Sequence, residues 1–144
     1  MTDGHLSTGG YTRLNCKNGG YHLQILPDGT VTGQRNETDV HVVLRLTAVA
    51  PGVVVIQGRQ TGRFLAMSDE GRLYSTLNAN DECCFLERVE ENFYNTYQSQ
   101  KYEERKWYVA LKKNGKPKLG SRTHIGQNAI FFLPRKLGAD PGTQ

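Results

Sequence analysis

Five cations fall within eleven residues between Lys112 and Arg122, in the run "KKNGKPKLGSRTHIGQ" that ends at Gln127. From Lys101 to Arg122, eight Lys or Arg stand against two Glu, a local excess of +6 that leaves the rest of a chain of net charge +4 at −2. The basicity therefore belongs to one region. A charge run is most often a solvated face. This one is wrapped around two turn signals, Asn114-Gly115 and Leu119-Gly120, which hold Lys112, Lys113, Lys118 and Arg122 close together on adjacent turns. Such a cluster suits a polyanion, whose sulfates or phosphates release condensed counterions when Lys or Arg neutralises them. Nucleic acid and sulfated polysaccharide share that chemistry. Single-strand binders interleave aromatic stacking platforms, and duplex readers place a helix or ribbon in a groove. The segment from Lys112 to Gln127 has neither, so a sulfated glycan is the better partner.

The residues that would carry catalysis do not assemble into a constellation. Glu87, Glu90, Glu91, Glu103 and Glu104 supply carboxylates, but glycosidase chemistry needs two of them placed across a bound sugar, and no cleft-forming pattern accompanies them. His5, His22, His41 and His124 are scattered without an HExxH, CxxC or nucleophile-elbow context, and each reads as a surface or turn residue. Three cysteines, Cys16, Cys83 and Cys84, are an odd number with two adjacent, so free thiols are the simpler reading. As neighbours on a strand, Cys83 and Cys84 should point to opposite faces, one of them into the core. No catalytic residue, metal or cofactor is expected.

The elements that must position the basic turns are short strands. A chain of 144 residues is the size of one domain with its own core. The first residues, MTDGHLSTGG, have neither a basic n-region nor an apolar h-region, and the longest apolar stretch, Val49 to Ile56, is broken by Pro51 and Gly52. No secretory leader and no transmembrane span is expected. Apolar alternation runs into turns three times: His22 to Leu26 before Pro27-Asp28-Gly29, Phe64 to Met67 before Ser68 to Gly71, and Tyr108 to Leu111 before Lys112 to Gly115. Each is a hairpin signal. Leu23, Leu65 and Val109 each precede their turn glycine by six residues, and Ile25, Met67 and Leu111 by four, with the glycines 42 and 44 apart. Second strands at Val42 to Leu46, Cys83 to Leu86 and Ala129 to Leu133 keep the same period. A period near 42 also suits propeller blades or helical repeats, but three blades are too few and the segments lack helical length. The expected fold is all-β, a β-trefoil of three four-stranded repeats with pseudo-threefold symmetry.

Gly71-Arg72-Leu73-Tyr74-Ser75, six residues, Glu82-Cys83-Cys84-Phe85-Leu86-Glu87, six more and Tyr94 together resemble the signature of the fibroblast growth factor family. "NGGYHLQILPDGTV", "TGRFLAM", "FLERVEENFYNTYQSQ" and "WYVALKKNGKPKLGSRTHIGQNAIFFLP" are similar to its acidic branch, over Leu14 to Pro134. The resemblance implies a β-trefoil at 14–134 between a flexible N-terminal segment, 1–13, and a C-terminal tail, 135–144. It implies a growth factor that promotes proliferation and differentiation by activating fibroblast growth factor receptor tyrosine kinases, with heparan sulfate as co-ligand and no cofactor. Family positions for heparin match Asn18, Lys112, Lys113, Asn114, Lys118, Arg122, Gln127 and Ala129. Those for the receptor match Asn15, Arg35, Glu87, Tyr94, Asn95 and Leu133, with Tyr97 nearby. The resemblance further implies a protein that is monomeric alone and dimerised on heparin. It would be exported to the extracellular space without a cleaved signal peptide, and also be present in the cytoplasm.

Several positions depart from the acidic branch. Leu119 and Asn128 stand where close relatives carry Arg and Lys, with Lys116 a partial compensation, and Asn15 stands where they carry a receptor-contacting Tyr. Pro117 replaces a thiol, and Cys84 a core aliphatic. Looser heparin binding and weaker receptor affinity are expected. The other readings of a trefoil are a lectin, a protease inhibitor or an interleukin-1-like cytokine, with weak or no receptor activation. The single Trp107 follows Arg105-Lys106 rather than sitting in a Gln-x-Trp lectin motif, no stiff inhibitor loop stands out, and the cytokine reading gives no reason for the basic cluster.

Overall fold

The computed structural model describes residues 10–138. Its strands are β1 (Tyr11–Cys16), β2 (His22–Ile25), β3 (Val31–Gln34), β4 (Leu44–Ala50), β5 (Val53–Gly58), β6 (Phe64–Met67), β7 (Leu73–Thr76), β8 (Phe85–Val89), β9 (Asn95–Ser99) and β10 (Phe132–Gly138). All pairings are antiparallel. β1 pairs β10, β10 pairs β9, β9 pairs β8, β8 pairs β5, β5 pairs β4 and β4 pairs β1, so six strands close a ring and leave no open edge among themselves. The hairpins β2–β3 and β6–β7 hang from β1 and β5. This is the β-trefoil expected from the period.

The three turns repeat bond for bond. In each, the residue after the first hairpin strand donates its N–H to the carbonyl four residues on, at 2.9, 2.9 and 2.8 Å for Leu26, Ser68 and Lys112. Gly29, Gly71 and Gly115 then donate back to the same three residues and hold positive φ angles of 94, 80 and 86°. Leu23, Leu65 and Val109, with Ile25, Met67 and Leu111, are all buried in one cluster, as the sequence spacing requires. Leu14, Ile56 and Tyr97 from the ring strands, and Leu44, Phe85 and Phe132, complete it at matching places in the repeats. Each fully buried aliphatic or aromatic side chain there contributes about 1.5 to 3 kcal/mol.

Two expectations are corrected. The third repeat is not four-stranded: its hairpin is reduced to isolated bridges, Gln98 to Tyr108 and Leu111 to Pro117. Pro117, where the other copies have Val31 and Leu73, sits between the two ladder bonds that remain, Lys112 N–H to Lys116 and Lys118 N–H to Ala110. Past them the Gly120 N–H goes to the Gly71 carbonyl and the Tyr108 N–H to the Thr123 hydroxyl, so the ladder ends there. The second strands also start later than the apolar runs suggest. Single turns of 3-10 helix, Val40–Val42, Asp81–Cys83 and Asn128–Ile130, carry chain into β4, β8 and β10. Asp39 and Asn80 cap the first two by accepting the N–H of His41 and Glu82, both at 2.8 Å. Cys83 is thus the buried end of a turn, not a strand residue, while Cys84 is half-buried; the division into one core thiol and one partly exposed thiol arises from the turn. The strand ladder also reaches beyond 14–134, since β1 starts at Tyr11 and pairs with β10 as far as Gly138. The proposed flexible ends lie, for 1–9 and 139–144, outside the described residues.

Candidate functional site

The basic turn is clamped from below, which leaves its lysines outside. Gly115 packs flat on Tyr21, so closely that a Cβ there would lie 2.7 Å from the ring, and its carbonyl accepts from the Thr32 hydroxyl at 3.2 Å. Asn18 Nδ2 donates to the Leu111 carbonyl at 3.0 Å, fixing the β1–β2 turn against the root of the hairpin. Asn114 Oδ1 accepts the Lys116 N–H at 3.0 Å and closes the tip. Lys118 is pinned through its own N–H to Ala110, and Arg122 ends the 3-10 turn Gly120–Arg122. Gln127 closes the following loop, donating to the Arg122 carbonyl at 3.2 Å and accepting the His124 N–H at 3.1 Å. None of Lys112, Lys113, Lys116, Lys118 and Arg122 is held in an ion pair among the described residues. The backbone is therefore rigid and the charge is available, as a polyanion site requires.

Ala129 differs from the rest of that set. Its side chain is buried, and its carbonyl accepts from the Leu111 N–H at 3.1 Å and the Cys16 thiol at 3.4 Å. It supports the hairpin from inside rather than presenting a surface. Burial raises the pKa of Cys16, and likewise that of Cys83.

Of the other set, Asn15, Leu133, Asn95 and Glu87 gather along β1, β10, β9 and β8, with Tyr94 just before β9, whereas Arg35 lies past β3. Asn15 lies opposite Leu133, and Phe132 opposite Asn95. Glu87, Asn95 and Tyr97 form one network: the Tyr97 hydroxyl donates to Glu87 Oε2 at 2.9 Å and accepts from Asn95 Nδ2 at 3.1 Å. Tyr97 is fully buried, with its ring edge-on to Phe132 at 6.3 Å, so it is a core residue and not a surface anchor. Tyr94 packs at 6.3 Å from Phe131, and Lys17 Nζ sits over both rings at 5.3 and 5.8 Å, a contact that sequence reading had no means to anticipate. Arg35 stacks on Tyr21 at 4.5 Å and donates Nε–H to the Gly19 carbonyl at 3.2 Å. Asn15 in turn donates to the Gly20 carbonyl at 2.9 Å and lies 3.3 Å from His22 Nδ1.

His22 is buried in β2, contrary to its reading as a surface or turn residue. Strand alternation puts it on the face opposite Leu23 and Ile25, but that face is covered too, with Arg13, Glu37 and Arg135 as charged neighbours. Burial, then Arg13, lowers its pKa below 6.5. Trp107 packs against the main core as expected beside the last repeat, with Arg105 over its ring at 4.7 Å and over Tyr102 at 4.9 Å.

Comparison with known proteins gives the same assignment. The family model described as fibroblast growth factor matches residues 10–133. A putative fibroblast growth factor 1 of Danio rerio is 60% identical over 126 residues, covering 88% of this chain and 84% of the relative. Fibroblast growth factor 1 of Xenopus laevis is 53% identical over 127 residues, 88% of this chain and 82% of its own. That of Cynops pyrrhogaster is 51% identical over 133 residues, 90% of each. With a closed trefoil, a clamped basic turn and a match across most of its length, the chain belongs to the fibroblast growth factor family, secreted non-enzymatic growth factors that need no cofactor, bind heparin and act on fibroblast growth factor receptors.

Proposed function

We propose that this growth factor divides its two partners between the two surfaces. Heparan sulfate is held by Lys112, Lys113, Lys118 and Arg122, with Asn18, Asn114 and Gln127 shaping the turns and adding amide donors. The observation that carries this reading is the clamped turn whose cations have no ion-pair partner among the described residues. Ala129, buried under the hairpin, serves this site only by holding its shape. Lys116 belongs with the four cations, on the same turn.

The receptor is met by Arg35, Glu87, Tyr94, Asn95 and Leu133, with Asn15 at the centre where a ring would give more buried contact. The support is the adjacency of Asn15, Leu133, Asn95 and Glu87 through the β1–β10–β9–β8 pairings, with Tyr94 just before β9, and the Glu87, Asn95 and Tyr97 network. Arg35, past β3, reaches the set through Gly19, next to the Gly20 carbonyl that Asn15 holds. The protein is a monomer alone. A heparan sulfate chain, acting as a template, raises the effective concentration of two ligand and receptor pairs and so brings two receptors together. Export proceeds without a cleaved signal peptide, in keeping with three thiols that form no disulfide.

The test is receptor phosphorylation in cells that display one fibroblast growth factor receptor and make no heparan sulfate, with the protein added with and without heparin. Phosphorylation only with heparin is the expected result. Equal phosphorylation in both conditions would remove the template role. None in either, from folded protein, would leave a glycan-binding trefoil without agonist activity.

A further inference from the structure

His22 is a buried titratable group outside both proposed surfaces, yet it is bonded to a residue of one of them. It stands opposite Asn15 across the β1–β2 pairing, with its Nδ1 3.3 Å from the Asn15 amide nitrogen. That nitrogen carries two hydrogens and accepts none, so Nδ1 is the unprotonated nitrogen of a neutral ring. The amide also donates to the Gly20 carbonyl at 2.9 Å. Gly20 closes the β1–β2 turn through its N–H to Cys16 at 3.1 Å, and the same turn presents the Gly19 carbonyl to Arg35 and the Asn18 amide to Leu111. One side-chain amide thus ties the imidazole to the turn.

The surroundings of the ring are poorly suited to a proton. Arg13 of β1 and Arg135 of β10 lie directly opposite each other, on the face of the β1–β10 ladder that carries Asn15 and Leu133. Both act on His22. Glu37, past β3, is the one carboxylate among its described charged neighbours, and Gln34, paired with His22 on β3, is uncharged. The Val40–Val42 turn also packs on β2, but its His41 lies against Asp39 at 3.5 Å. A proton on Nδ1 would place a third cation beside two guanidiniums and turn an N–H toward the N–H of Asn15. Either the amide turns over and lets go of Gly20, or the ring leaves.

We propose that His22 is an acid-operated latch on the receptor face: on taking up a proton from solvent it releases Asn15 and the β1–β2 turn and loosens the receptor complex. The growth factor then holds its receptor at neutral pH and lets go in an acidified compartment. The inference rests on the proposed receptor surface through Asn15. Burial, then Arg13, holds the folded pKa of His22 below 6.5, so the latch is closed above that pKa and opens as pH falls through it.

Two titrations of the full chain between about pH 7.5 and 5 provide the test. NMR follows the His22 ring and the Asn15 side-chain amide, and immobilised receptor ectodomain without heparin gives Kd at each pH. The expected result is one midpoint shared by ring and amide, and a Kd that rises below it by up to about tenfold per pH unit, with a clearly flatter rise in His22→Gln. The NMR arm needs no variant, and an Asn15 amide that does not move with the ring would overturn the latch. So would a Kd with the same pH slope in parent and variant, which would assign acid release to other groups. Asn15→Ala at the neutral end separates the premise from the inference. An unchanged Kd there would take Asn15 out of the receptor surface and the latch with it, whereas a changed Kd with equal slopes in parent and His22→Gln removes the latch alone.

Discussion

At the scale of single residues, Tyr97 and His22 show how the trefoil keeps polar groups under the strands proposed to meet the receptor. The Tyr97 hydroxyl both donates to Glu87 and accepts from Asn95, so Tyr97→Phe leaves two partners short of a bond without opening a cavity. The expected cost is about 1 to 2 kcal/mol. A urea titration checks it, as a lower midpoint at unchanged slope. His22 is a different case, because its neutral form is the one the fold favours. The folded pKa lies below the 6.5 of the unfolded chain, chiefly through burial. Its contribution is therefore fully present above the unfolded pKa and is lost as pH falls toward the folded one, since the unfolded chain takes up the proton first. Urea midpoints measured between about pH 7 and pH 5 should fall with acid, and His22→Gln should flatten that slope. An unchanged slope in the variant would assign the acid sensitivity to other groups. With His22 protonated, Nδ1 no longer accepts from the amide of Asn15, so the same titration reaches a residue of the proposed receptor surface.

At the scale of elements, three turns share one hydrogen-bond pattern but not one environment. A Cβ on Gly29 would meet the end of the Arg63 side chain at 3.6 Å, whereas one on Gly115 would strike the Tyr21 ring at 2.7 Å. Both glycines hold the left-handed conformation, which costs another residue about 1 to 2 kcal/mol. Gly29→Ala should lose about that much, and Gly115→Ala clearly more, because Tyr21 must also move. Thermal or urea denaturation of the pair gives the order, and equal losses would mean that Tyr21 yields freely. Legibility in the sequence follows the same division. The repeat was readable because Leu23, Leu65 and Val109, with Ile25, Met67 and Leu111, must all fill one core and so keep one spacing. The basic turn was readable because charge and turn glycines are local signals. The 3-10 turns were not, since Val42, Cys83 and Ile130 are as buried as strand residues and apolarity alone does not tell the two apart. The third hairpin ladder ends where the Gly120 N–H goes to Gly71 and the Tyr108 N–H to the Thr123 hydroxyl, bonds that no local pattern announces. The stacking of Lys17 on Tyr94 and Phe131, and of Arg45 and Arg59 on Tyr11, joins strands distant in sequence and leaves no local trace.

At the scale of the whole molecule, the two proposed surfaces meet at the β1–β2 turn, where Asn15 and Arg35 bond Gly20 and Gly19 and Tyr21 lies against Gly115. The Lys112 to Arg122 cations and the Asn15, Leu133 and Asn95 strands should nonetheless respond to substitution separately. Asn128 is exposed at the edge of the basic loop, where the family resemblance expects a lysine. Asn128→Lys adds one cation to that surface, so the dependence of heparin affinity on salt should steepen by somewhat less than one unit in log K against log salt. Its affinity for the receptor ectodomain without heparin should not change. Asn15→Tyr acts on the other surface. It restores a ring opposite Leu133, and receptor affinity without heparin should rise about tenfold, equivalent to roughly 1.4 kcal/mol. Its release from a heparin column should stay at the salt concentration of the parent. Titration of both variants against immobilised receptor and immobilised heparin gives four affinities. Two should move and two should not. If Asn128→Lys strengthens the heparin-free receptor complex, the basic loop itself touches the receptor, and the division between a glycan face and a receptor face gives way to one continuous interface.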